Sequence, residues 1–157
     1  MTGEGGVTGG EQVISNLEAK YDRLLGRLSE KINSANKLLA DKIRANLSGA
    51  VLNIRSGKLI GTVRETPVTI TGGIVEGGIT VGGPEAPYGA VHEHGGTRPY
   101  IITPVNKAYL RFVVDGKQIF TKLVRREPAL KRAFVEPARL ELESEIQAAI
   151  RSAVEGA

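Results

Sequence analysis

The feature that most constrains the fold is an apolar stripe in the first third of the chain. Val13, Leu17, Tyr21, Leu24, Leu28, Ile32, Ala35, Leu39 and Ile43 recur at steps of three and four, which puts them on one face of an α-helix. Leu25 and Leu38 widen the stripe, and Lys20, Asp22, Arg23, Glu30, Lys31 and Lys37 fill much of the remaining surface. The spacing predicts a helix from Glu11 to Leu47, about 50 Å long at 1.5 Å per residue. A small domain needs less, so such a helix either overhangs the sheet it packs on or contacts a neighbouring subunit. Gly26 costs about 1 kcal/mol against Ala in a helix interior. Two core helices broken near Gly26 or Asn33 are therefore the alternative.

Beyond the helix the pattern turns to strands. Ser48-Gly49 is a stop, and Ser56-Gly57-Lys58-Leu59 reads as a turn into a first strand at Leu59 to Arg64. Pro67 to Thr71 and Ile74 to Val81 are β-branched runs joined by Gly72-Gly73, a hairpin. Gly77-Gly78 within the second run points to a bulge or the close approach of another backbone. Gly82-Gly83-Pro84 and Ala86-Pro87 force a loop. A shaped loop, Tyr88 to Pro104, follows and runs into a short strand at Tyr100 to Thr103. Ala108 to Val114 and Gln118 to Val124 flank Asp115-Gly116, a two-residue hairpin signal. From Glu136 the helical period returns, with Pro137 in the first turn and Glu136, Glu141, Glu143 and Glu145 in the half where a helix dipole favours acids.

Helices outside a run of strands give an α+β class: a long N-terminal helix, an antiparallel β-sheet with a large central loop, and a C-terminal helix packed on the sheet. Residues 1–10, mostly Gly, Thr and Glu, read as a flexible arm, and 11–157 as a single domain. A chain of 157 residues can bury a core. With four Tyr, three Phe and no Trp, aliphatic residues must supply most of it. Without Cys there are no disulfides or thiolate metal sites. No basic apolar leader and no apolar run near the membrane-spanning length of about 20 residues suggest a soluble protein made inside the cell.

The net charge of +4 is arranged in blocks. Residues 1–60 are basic, 61–104 acidic, 105–132 strongly basic and 133–157 acidic. Alternating blocks can steer like subunits into head-to-tail contact, or they can simply be solvated faces.

His92-Glu93-His94 is the one metal-like cluster. In an extended segment both imidazoles point the same way, yet zinc needs further ligands, and only Glu85 or Glu93 is near. A surface or interface histidine pair, which would make assembly pH-sensitive, is the favoured reading; no metal or cofactor is expected. No G-x-S-x-G elbow, P-loop or G-x-G-x-x-G occurs, so no catalytic residues are assigned. The segment from Lys107 to Arg132 could contact phosphates through Lys117, Lys122, Arg125, Arg126, Lys131 and Arg132. Of the aromatics there, Tyr109, Phe112 and Phe120, strand alternation is expected to bury at least two. An acidic patch on a partner is the preferred counterpart.

Several runs carry a resemblance. The Ser56-Gly57-Lys58-Leu59 turn follows a long helix, then comes Ala86-Pro87-Tyr88-Gly89-Ala90-Val91-His92-Glu93-His94-Gly95-Gly96. Ile101 to Pro104, the Phe112 to Phe120 hairpin and Arg132-Ala133-Phe134-Val135-Glu136-Pro137-Ala138 complete the order. In this order and spacing, across most of residues 45–155, the chain resembles the tail-completion (neck, or minor tail) proteins of long-tailed double-stranded DNA bacteriophages. It departs from them at Ala133, at His94 and in the glycine-rich strands. The resemblance implies a structural virion protein and no enzyme. The expected assembly is a homo-oligomeric ring, commonly a hexamer, at the head-proximal end of the tail, made in the bacterial cytoplasm. It would join the tail tube and its terminator to the head connector, with DNA passing non-specifically through the lumen and no membrane. A tail terminator or head-completion protein of the same neck is the near alternative, and a nucleic-acid-binding module using residues 107–132 the distant one. The expected interface residues are Tyr88, His92, Glu93, His94 and Arg98 in the loop, and Lys117, Lys122, Arg125 and Arg126 in the basic hairpin.

Overall fold

The apolar stripe forms one unbroken helix, α1, Gly10–Ala45. Gly26 lies in its interior without a break, so the two-helix alternative does not hold. The computed structural model describes residues 9–53 and 56–156. The arm expected over residues 1–10 falls largely outside them, and Gly10 is already helical. At 36 residues and 1.5 Å per residue, α1 spans about 54 Å. Only its C-terminal third is buried, through Asn36, Ala40 and Ile43. The first three turns overhang, with Val13, Ile14 and Leu17 exposed, whereas Tyr21 lies against Gly73 at the β1–β2 turn. The helix ends in a wide turn over Asn46–Ala50, where Gly49 takes φ +136°.

The first strand is corrected. Lys58–Gly61 is a helical turn, α2, which buries Leu59 in the core; the strand β1 starts only at Arg64 and runs to Thr71. β1 pairs antiparallel with β2, Ile74–Thr80. The register slips between Thr66 and Thr69, with Thr66 opposite Gly78 and Thr69 opposite Glu76. The bulge thus lies in β1, at Pro67-Val68, facing the glycines rather than formed by them. The loop reading at Tyr88 is also corrected, because Tyr88–His94 is a helix, α3.

After α3 come β3, Tyr100–Ile102, β4, Leu110–Val114, β5, Lys117–Thr121, β6, Val124–Arg126, and α4, Glu136–Glu155. β4 and β5 close through Asp115 at φ 49° and Gly116 at φ 76°, the two left-handed positions a type I′ turn requires. β3 pairs with β6.

The class is α+β, with a long N-terminal helix, antiparallel strands and a C-terminal helix. Its strands form three two-stranded ribbons, β1–β2, β3–β6 and β4–β5. α1 packs against the first ribbon and against α4, so α4 lies mainly on α1. The core joins the end of α1 to the start of α4: Ala40, Ile43, Leu47, Leu52, Leu59, Val63, Ala86, Phe134 and Ala138. Inside it Asn46 donates from Nδ2 to the Phe134 carbonyl at 2.8 Å, which satisfies a buried amide and fixes where the chain enters α4.

Candidate functional site

The segment that carries both histidines is held by backbone. From the end of α3 the chain runs beside residues 128–136. The Gly96 N–H donates to the Ala129 carbonyl and the Arg132 N–H to the His92 carbonyl, both at 2.8 Å. The approach is close enough to demand glycine: a Cβ on Gly96 would sit 2.6 Å from the Ala129 nitrogen and 3.3 Å from Pro128 backbone atoms.

Glu93 completes the junction. Its carboxylate accepts from the N–H groups of Phe134 at 2.8 Å, Val135 at 3.0 Å and Glu136 at 2.9 Å. These belong to the unpaired donors at the start of α4, which has no cap from its own N-cap residue. An anion there is also favoured by the helix dipole. Burial acts to raise the Glu93 carboxyl; the N–H groups of Val135, Phe134 and Glu136, with His94 beside it, outweigh that and hold it below the usual carboxylate range. Beside it Lys131 bonds Glu136 at 2.5 Å, and this pairing keeps the ammonium above its usual range.

The expected interface residues divide accordingly. Glu93 has both oxygens committed within its own chain, so its role is to position α4 rather than to reach a partner. His92 and His94 lie two apart on a helix, where side chains do not face each other, which removes the extended geometry behind the metal reading. Among the described residues, no group of three or more His, Cys, Asp or Glu is placed to hold a metal ion. His92 stacks edge-on with Tyr88, ring centres 6.1 Å apart, beside a recess that also includes Leu47, Leu52 and Arg132. His94 lines a different recess with Lys131 and Arg139. Arg98 is exposed in the link to β3.

The basic residues fall on two ribbons. Arg125 and Arg126 on β6 pair with Ile101 and Tyr100, which brings them next to the loop that holds Arg98. Lys117 follows the turn of the β4–β5 hairpin, and Lys122 sits over the Tyr109 ring at 5.6 Å. The burial expected for the hairpin aromatics does not occur: Tyr109, Phe112 and Phe120 are all exposed. A two-stranded hairpin has no second layer to alternate against unless something else covers it. Sequence reasoning missed Gly96 and the strip at 128–131 because their pairing spans more than 30 residues; only the Gly-Gly pair hinted at it.

Compared with known proteins, the chain matches no family model, no curated protein and no solved structure. No helix among the described residues is long and apolar enough to cross a membrane.

Proposed function

We propose that the protein is a structural subunit of a ring at the head–tail junction of a long-tailed bacteriophage, where it joins the tail tube to the head connector and lets DNA pass. One observation carries this reading beyond the sequence resemblance. A firmly tied centre, built from the end of α1, α3 and the start of α4, projects two apolar surfaces it does not cover. Val13, Ile14 and Leu17 on the overhang of α1 are about 60% exposed, as are Val113 and Phe120 on the hairpin. An isolated hairpin is marginal in water, and exposed apolar patches of this kind mark interaction surfaces. A subunit that is finished only in an assembly has this form. The block-wise charge supports a head-to-tail arrangement.

His94 lies beside Glu93, but neither it nor Arg98 makes the bonds by which that carboxylate holds the start of α4. Replacing the two with Ala in the encoding phage is expected to leave a folded subunit and unjoined heads and tails. Wild-type infectivity would remove this surface from the joint.

A second reading, a nucleic-acid-binding module, gains from the exposed Tyr109, Phe112 and Phe120 beside Arg111, Lys117 and Lys122, since exposed aromatics among cations suit base stacking. It requires affinity that falls steeply with salt. No gel shift at low salt disposes of it.

A further inference from the structure

The second half of α1, the β1–β2 ribbon and α4 enclose an open groove of about 700 Å³, lined by Ile32, Asn36, Leu39, Gly77, Ile146 and Ile150 among others. Asn36 is an odd residue for it. It is 7% exposed, and its Nδ2 has no hydrogen-bond acceptor among the described residues. A buried donor left unpaired is costly, and in a satisfied structure it has a partner. The groove floor is also cut close: a Cβ on Gly77 would fall 2.8 Å from Asn36 Nδ2, 2.9 Å from Ile32 Cγ2 and 3.0 Å from Val68 Cγ2.

The same chain carries a body of the complementary kind. On the β4–β5 hairpin, Leu110, Phe112 and Val114 share a face with Thr121, Ile119 and Lys117, their cross-strand partners. Arg111 and Val113 share the other with Phe120 and Gln118. β4 and β5 pack on each other and on no other element to a comparable extent.

We infer that the β4–β5 hairpin of one copy seats in the α1/β1–β2/α4 groove of the next, its Leu110–Phe112–Ile119 face inward. The inference rests on the ring reading and specifies its subunit contact. Charge selects this occupant. Lys117 stands on the inward face of the hairpin with Val114, and Glu76 is, among the described residues, the one charged residue that lines the groove. The overhang of α1, the other unpartnered apolar body, mixes both signs and has no such bias. Groove and hairpin are different surfaces of one chain, so the contact is heterologous and propagates head to tail until a ring closes.

The chain has no cysteine, so the test has no background. Full-length Phe112→Cys and Ile150→Cys variants are mixed and treated with a short bis-maleimide, in solution and in particles assembled from both. The expected result is a cross-linked dimer in the mixture and none with either variant alone. A second pair at the rim, Lys117→Cys with Glu76→Cys, gives the same result and covers the case that a groove variant fails to fold. No dimer from either pair overturns the inference. So does a dimer from Leu17→Cys with Ile150→Cys in place of the hairpin pair, which would seat the α1 overhang in the groove. A hairpin cross-link in solution with the protein absent from virions would keep the contact and end the neck reading. Virions that hold the protein but give no cross-link would do the reverse.

Discussion

Removing the Glu93 carboxylate should loosen the start of α4 from the rest of the fold. Three N–H groups bond it at 2.8–3.0 Å. A hydrogen bond to a charged group contributes roughly 1.5–3 kcal/mol, and an N-cap about 0.5–2 kcal/mol. The three share one carboxylate that is partly open to solvent, and water can take up some of the freed donors, so they do not add. Glu93→Ala should cost about 2 kcal/mol, near the overlap of those ranges. At about 2–4 °C per kcal/mol for a chain of this size, the melting point falls by about 4–8 °C. Glu93→Gln keeps one acceptor oxygen and should lose about half as much. The sign with pH follows from the lowered carboxyl. A depressed acid contributes its stability above its unfolded value, near 4.3, and loses it as pH falls through the folded one. The gap between wild type and Glu93→Gln is therefore full at pH 7 and narrows as pH falls past the unfolded value and through the lower folded one. Urea titrations of the three proteins at pH 7 and in acid read both. A Glu93→Ala protein as stable as wild type, or a Gln gap unchanged in acid, refutes the role given to this carboxylate.

Gly96→Ala must push the 128–131 strip outward and should cost about 2 kcal/mol or more by urea melting, with Gly78→Ala as a comparison at a site with open space and no positive φ. Phe134→Ala empties the 2%-exposed centre of the core and should cost about 3–5 kcal/mol. Asn36→Leu removes an unpaired buried donor and should leave the subunit at least as stable in urea melting; a large loss of stability would mean that Asn36 is already satisfied.

The parts of the fold that could be read from sequence are those set by local spacing. The helical stripe of α1, the Asp115-Gly116 turn and the Pro137-led acidic start of α4 each lie within a few residues of their cause. The errors have non-local causes. Leu59 to Arg64 carries the β-branched Ile60, Thr62 and Val63 of a strand, but burial of Leu59 in the core is satisfied by a single helical turn at Lys58–Gly61. Tyr88–His94, bounded by Pro87 and Gly95, is too short to be helical on its own propensity and depends on the carboxylate and carbonyl contacts made with residues 129–136. Nothing near Glu93 reveals that its donors lie 41 to 43 residues on. The division into three ribbons is of the same kind, since β3 closes on β6 across the intervening hairpin. The basic cluster was legible as composition; that its aromatics stay exposed depends on the hairpin standing apart.

The central claim, a subunit of the phage neck, is tested most directly by quantitative mass spectrometry of purified virions, with free heads and free tails separated first. The account predicts a few copies per particle, the number of one ring, travelling with the tails. Absence from virions, heads and tails alike would contradict it and turn attention to the salt dependence of nucleic-acid binding.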